Sequence, residues 1–471
     1  MSKAEKNAVS DDAIRIPSEL MQFLRLDTYS LLIKGIAGTG KTTLALSILK
    51  ALQIKKNCLF MSTRISPEKL FQFFPWLNGF FGEPIRSDLT ESQEFISDKA
   101  PFVDARLDEP STLFERITNQ LMDVQSPTIV IDSWDAIANF MGKEDLMNNA
   151  RVLQTWRERD GAKIIYTNEE PNSTNFDYLV DGIVELKQKY HEQRLVREIV
   201  LSKLRGIRIN RPSYVYSLNN SVFRSYSSYN PADFNLIKPA GNDQNALLDS
   251  DNIKTGYSEL DDSLHGGFPR KGIVTIDIDS QLNSSVAVMF LSKIISNFVF
   301  SENPVLFHAI DGVGSQEFDR FIESIPSKKK KKVYTEDDLV TKKGTKSSLN
   351  DTYLESISRS LLKIRKENLK KLFLTVLGSG IFQRLYEPGN IDAIERLMHL
   401  ITRNSDLTVF ITRDLHRDVR QYLAGISNVH LKILEINGTL LLQSWSPWSH
   451  LYAIVTNRKS QDLDLNLEPI V

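Results

Sequence analysis

Gly35-Ile36-Ala37-Gly38-Thr39-Gly40-Lys41-Thr42 spells G-x-x-x-x-G-K-[ST] without a gap. Upstream, Tyr29 to Ile33 reads as a short buried strand, and downstream Thr43 to Leu52 carries apolar residues at helical spacing. A strand, a glycine turn and a helix form the context in which this motif cradles phosphates. Glycine admits a close approach of backbone to ligand, so successive N–H groups and the helix N-terminus face an anion. Lys41 is then the cation for the β- and γ-phosphates, and the Thr42 hydroxyl a ligand for Mg2+. The stretch from Gly35 to Thr43 is the expected ATP cradle.

Outward from this turn, a chain of 471 residues exceeds what one core organises, which predicts two or three domains. Apolar residues at 41% and charged residues at 25% suit a globular protein. A net charge of −1 supplies no global field toward nucleic acid or an anionic membrane. Cys58 is the single cysteine, which excludes an intrachain disulfide and reads as a core residue. The polar N-terminus and the lack of any run of about 18 apolar residues predict a cytoplasmic protein that spans no membrane.

After the turn, strands alternate with helices. Cys58 to Met61, Thr128 to Ile131 and Lys163 to Tyr166 read as strands, and Thr112 to Val124 and Glu144 to Arg159 as helices. That order predicts a parallel sheet covered on both faces. From Asp181 the pattern turns to strands alone, at 182–186, 197–201 and 213–217, as in an antiparallel extension. The first domain therefore occupies residues 1–225, and the unpatterned, Ser-, Asn- and Pro-containing segment 226–252 reads as a linker. Residues 253–471 repeat the element order at a spacing of roughly 240 residues. Strands are expected at 272–278, 305–309, 372–377 and 407–412, helices at 284–300, 353–370 and 391–403, then strands at 429–436 and 440–443. A polar insert at about 326–350 holds Lys328 to Lys332.

Asp132 closes the apolar run Thr128 to Ile131, where a carboxylate after such a turn can hold Mg2+ beside the phosphates. Lys203-Leu204-Arg205-Gly206 resembles the K-x-R-G segment of the KaiC branch of RecA-like ATPases. That resemblance implies a lysine and an arginine reaching the nucleotide of a neighbouring subunit, either in a homo-oligomer or with the tandem copy meeting the need within one chain. Thr255-Gly256, Leu260-Asp261, Leu264, Gly266-Gly267, Pro269 and Gly272 resemble the sequence with which KaiC-type domains open. Ile16-Pro17, Ser62 to Pro67 and Phe74-Pro75-Trp76-Leu77 look more like the archaeal gas-vesicle regulator GvpD and its relatives. Together these imply tandem RecA-like α/β domains.

Two departures from the KaiC pattern bear on chemistry. Those domains place glutamates after the second strand to activate water, whereas Ser62-Thr63-Arg64-Ile65 offers no carboxylate before Glu68. Slow hydrolysis follows. Glu68, Glu169 and Glu170 are substitutes whose plainer reading is solvated loop charge, and Arg64 is divided between a phosphate or partner contact and a surface ion pair. In the second block, Asp279 to Ser285 lacks glycine and lysine and places an acid where phosphate would sit. Leu372 to Leu377 ends at Gly378-Ser379 with no metal-binding carboxylate. The second copy is therefore expected to keep the scaffold without the nucleotide.

Lys328 to Lys332, with Lys342, Lys343 and Lys346, form the strong basic cluster, weighed between a solvated loop and a nucleic-acid contact. The aromatic stretch Phe71 to Phe81 suits either a protein interface or a buried corner. The expectation is an ATP- and Mg2+-binding switch acting on a protein partner such as a transcription regulator. Lys41 and Asp132 act in it as catalytic groups, with Arg64, Asn168, Lys203 and Arg205 as sensors or trans-acting groups. The rival is a DNA-binding recombinase paralogue, for which no hairpin or loop module is visible.

Overall fold

The computed structural model describes residues 14–82, 102–106, 115, 117, 124–138, 141, 151–152, 155, 157–169, 175–231, 248–249, 251–283, 285–308, 315–335, 349–388, 390–459 and 462–471. Most of the expected helices at 112–124 and 144–159 lies outside these residues, as do Glu170, Lys342, Lys343, Lys346 and the greater part of the expected linker. The chain divides into two compact units, one of residues 1–227 with 470–471 and one of residues 228–469.

In the first unit the strands are β1 (Tyr29–Lys34), β2 (Cys58–Ser62), β3 (Phe102–Asp104), β4 (Thr128–Asp132), β5 (Lys163–Asn168), β6 (Gly182–His191), β7 (Arg194–Leu204), β8 (Ser213–Ser217) and β9 (Arg224–Ser225). They form one sheet in the order β3-β2-β4-β5-β1-β6-β7-β8-β9. Pairings from β3 through β6 are parallel, and those from β6 onward are antiparallel. Every residue of β1 is buried, as a central parallel strand covered on both faces requires. One face packs against helix Lys41–Ala51, where Leu44, Leu46, Ile48 and Leu49 join Leu31, Ile33, Phe60 and Val130. The other face gathers Leu32, Met61, Ile131, Trp134 and Tyr166.

The β6–β7 ladder runs from Gly182↔Leu204 to His191↔Arg194, well past the stretches 182–186 and 197–201 expected from apolar content. Lys187 to His191 are polar because this arm is covered less completely, and Glu192 and Gln193, at φ 47° and 65°, make its tight turn. The aromatic stretch is largely a packed corner. Phe71, Phe74 and Leu77 are buried, Phe71 and Phe81 meet Phe102, and Trp76 Nε1 donates to Ser221 O at 3.0 Å, while Phe73 stays exposed. Cys58 sits at the head of β2, and burial pushes its thiol up to about 12.

The second unit opens with a small sheet of β10 (Leu248–Asp249), β11 (Asn252–Ile253) and β12 (Phe268–Pro269). Its glycines have a steric reason: a Cβ on Gly267 would run into the carbonyl oxygen of Ile253. Thr255 N and Oγ1 donate to Asp261 Oδ1, which ties the start of this segment to helix Ser258–Ser263. The large sheet comprises β13 (Gly272–Ile278), β14 (Val305–His308), β15 (Val333–Tyr334), β16 (Leu374–Gly378), β17 (Leu407–Thr412), β18 (Val429–Ile436), β19 (Thr439–Ser446), β20 (Tyr452–Lys459) and β21 (Asp462–Pro469). Its order, β15-β14-β16-β17-β13-β18-β19-β20-β21, has the winding of the first sheet strand for strand. Both units are thus α/β domains of one topology, each with four antiparallel strands ending a parallel array.

Candidate functional site

Register decides which side chains meet. Lys34 pairs with Asn168, and Ser62 with Asp132, so β1, β2, β4 and β5 all end at one edge of the first sheet. The turn 35–40, Thr63-Arg64, Ser133 to Asp135 and Glu169 leave that edge side by side. This is the crevice at the carboxyl ends of strands where open α/β sheets bind ligands.

Gly35, Gly38 and Gly40 have positive φ, with Gly38 at 81° and Gly40 at 90°. A Cβ on Gly35 would meet Thr39 Oγ1 at 2.5 Å and Leu186 O at 2.7 Å. The turn is held from behind through its carbonyls. Gln188 Nε2 and Arg197 NH1, cross-strand partners on β6 and β7, each donate to Gly38 O at 2.9 Å. Tyr216 OH on β8 donates to Thr39 O at 2.5 Å, Thr39 Oγ1 to Ile36 O at 2.8 Å, and Gly35 N to Asn168 O at 3.1 Å.

Lys41 Nζ folds into this turn, donating to Gly35 O at 2.7 Å and Ile36 O at 3.1 Å. Burial pulls its pKa down, while Glu169, Asp132 and Asp135 oppose that pull. Thr42 Oγ1 donates to Asp132 Oδ2 at 2.8 Å, and Thr167 Oγ1 to Asp132 Oδ1 at 2.5 Å. The Asp132 carboxyl is raised by burial against the pull of Thr167, Thr42, Lys41 and Arg64. Beside it, Arg64 bonds Asp135 Oδ2 at 2.5 Å and also pairs with Glu169 Oε1, whose own distance to Lys41 Nζ is 3.9 Å. The bond to Glu169 is the main reason the Arg64 pKa is raised, and the same bond lowers the Glu169 carboxyl.

The edge therefore brings together Lys41, Thr42, Asp132, Arg64 and the end of Asn168. Lys203 and Arg205 are engaged elsewhere on the unit. Lys203 Nζ donates to Asp177 O at 3.0 Å and Val180 O at 2.7 Å, and Arg205 NH1 to Asp181 Oδ1 at 3.1 Å. Motif reading misses Thr167, Asp135, Gln188, Arg197 and Tyr216. Thr167 carries a usable signal, a hydroxyl one residue before the end of β5, whereas Gln188 and Arg197 matter only through a ladder no local pattern discloses.

The second unit can be compared with the first through its strands and helices. Six residues, 279–284, join β13 to helix Ser285–Phe300, as six, 35–40, join β1 to helix Lys41–Ala51. Asp277 pairs with Thr412 as Lys34 pairs with Asn168, so the strand register puts Ile278 in the place of Gly35 and Asp279 one residue on. At the helix Ser285 and Val286 take the places of Lys41 and Thr42, and Gly378 takes that of Asp132. Leu282 is buried, Asp279 N donates to Ile433 O at 3.0 Å, and Asp277 takes bonds from Thr412 Oγ1 and, at 2.7 Å, His430 Nε2.

Residues 20–202 match the family model described as GvpD gas vesicle protein, P-loop domain. That segment is similar to the P-loop domain of GvpD. Among relatives, Protein GvpD1 of Halobacterium salinarum is 26% identical over 307 residues, covering 61% of this chain and 55% of the relative. Protein GvpD2 of the same organism is 23% identical over 304 residues, 61% of this chain and 59% of the relative. The chain spans somewhat more than half the length of these GvpD relatives. Among the described residues, no helix is long and apolar enough to cross a membrane.

Proposed function

We propose that the first unit binds one ATP with Mg2+ and works as a slow nucleotide switch on a protein partner, while the second unit keeps the scaffold alone. The observation that carries this reading is the contact of the Thr42 hydroxyl with the buried Asp132 carboxylate, beside an ammonium folded into a glycine turn. These residues fit the group. The glycine turn is a surface a Cβ would fill, and a hydroxyl next to a carboxylate is a hard oxygen set of the kind Mg2+ prefers. Gly35 to Thr43 would hold the phosphates, with Thr42 and Asp132 holding the metal. Held there, Mg2+ would help neutralise the charge of the phosphates.

Lys41 supplies the protein's positive charge, and Asn168, at the end of β5, is a sensor of occupancy. No carboxylate stands between Ser62 and Ile65 to orient water, which supports slow turnover. Loss of the lysine, the glycines and the strand-end carboxylate at 279–285 and 378 supports a second unit without nucleotide. Likeness to GvpD supports a regulator of gas-vesicle production, and Lys203 and Arg205 are proposed for contact between subunits. Calorimetry of the full chain with Mg2+ and ATP is expected to give one site per chain, weakened in Lys41→Ala. No uptake, or two equal sites, would overturn the proposal.

A further inference from the structure

We infer that Glu169 is an internal stand-in for the γ-phosphate, and that Arg64 passes from Glu169 to that phosphate only when a nucleoside triphosphate binds. The inference rests on the nucleotide reading above and adds which residues tell a triphosphate from a diphosphate.

A lysine in this turn faces the β- and γ-phosphates. Here the anion facing Lys41 from beyond the turn is Glu169, at 3.9 Å, and the same carboxylate oxygen receives Arg64. One carboxylate thus engages both cations nearest the place of the terminal phosphate. A carboxylate and a phosphate cannot share that place without strong like-charge repulsion, so a triphosphate must turn Glu169 away.

The exchange is cheap on the protein's side. Arg64 is 42% exposed and Glu169 33%, and ion pairs this open to water hold weakly. The phosphate bears more charge and more acceptor oxygens than the carboxylate, so it makes the stronger charge-assisted bond with the guanidinium nitrogen that Glu169 gives up. Asp135 is the fixed point. Its Oδ2 keeps the other guanidinium nitrogen at 2.5 Å, and its Oδ1 accepts the Glu169 N–H at 3.3 Å. Arg64 therefore stays at the mouth of the cradle whichever anion it serves. The depressed pKa of Glu169 agrees, since a carboxylate held ionised by arginine is a good stand-in anion and a poor base.

The test is a titration of the full chain, in Mg2+, with fluorescent ADP and with a non-hydrolysable triphosphate analogue. Glu169→Gln is expected to tighten the triphosphate about tenfold and leave ADP within about twofold, as one charge-assisted hydrogen bond to the terminal phosphate would do. Arg64→Ala is expected to weaken the triphosphate about tenfold, again sparing ADP. Arg64→Lys, which keeps the charge without the guanidinium, serves if Arg64→Ala melts early. If both nucleotides bind but their affinity ratio is the same in wild type and variants, the inference is overturned while the nucleotide reading stands. If wild type binds neither nucleotide, both are overturned.

Discussion

Asp132→Asn is expected to make the ligand-free protein more stable while weakening its hold on Mg2+ and nucleotide. Asp132 is buried, and burial raises its carboxyl above the ordinary 3.8 despite two hydroxyl donors and the nearby Lys41 and Arg64. An acid whose pKa is higher folded than unfolded binds its proton more tightly in the fold. Its contribution is therefore fullest below 3.8 and is lost as pH rises through the raised value. At neutral pH the charge opposes folding. An amide removes it, and the Thr42 and Thr167 hydroxyls can turn to serve an amide as well as a carboxylate. Relief of an incompletely compensated buried charge amounts to about 1–2 kcal/mol, or about 2–8 °C in a domain of this size. Thermal unfolding of wild type and variant at pH 7 and pH 4, each with and without Mg2+ and ATP, reads both effects. The variant should melt higher at pH 7, lose most of that advantage at pH 4, and gain less from nucleotide than wild type at either pH. A variant less stable at pH 7, or equally favoured at both pH values, would refute the account of Asp132 as a charge kept for a metal at the expense of the fold.

Lys41→Ala should cost about 2–3 kcal/mol of nucleotide affinity, about 30- to 150-fold by equilibrium titration, because a charge-assisted hydrogen bond to phosphate disappears. Gly35→Ala should destabilise the unit by about 1–3 kcal/mol in denaturant unfolding, since the new methyl meets Leu186 O, a backbone atom that cannot step aside. Asp181→Ala should cost about 2–3 kcal/mol at neutral pH. The carboxylate is buried in part, yet Ser30 Oγ and N at 2.8 and 3.0 Å, with Arg157, bring its pKa below the ordinary 3.8. That stability is present above 3.8 and lost as pH falls through the depressed value, so the wild-type advantage should vanish in denaturant unfolding at acid pH.

What the chain alone discloses follows from how local each signal is. The cradle is contiguous, and its residue types are dictated by phosphate chemistry, so Gly35 to Thr43 needs no tertiary information. Asp132 is legible because a strand end has only one place in a parallel sheet. Glu169 is not, because its meaning depends on Arg64 and Lys41 arriving from two other strand ends, and by itself it is a loop carboxylate like Glu68. Arg64 is ambiguous in sequence between a phosphate contact and an ion pair, and the fold pairs it with Asp135 and Glu169. The last strands, β20 and β21, lie beyond the last strand expected, at 440–443. Leu463, Leu465 and Leu467 alternate with Asp462, Asp464, Asn466 and Glu468, a period-two pattern that marks β21 in the sequence itself.

The two six-residue turns differ in composition and in backbone. In the second unit a strand is joined to its helix without a glycine, and none of residues 279–283 adopts a left-handed backbone. Joining a strand to a helix therefore does not by itself call for the left-handed backbone of Gly38. A chain that needs only a connector can make one from Asp, Ser, Gln, Leu and Asn, with no glycine. Glycine at the same junction leaves the backbone free of side chains, as close approach of a ligand to main chain requires. Within a single polypeptide, the C-terminal half thereby shows that this strand order can be built with a glycine-free connection between its central strand and the following helix.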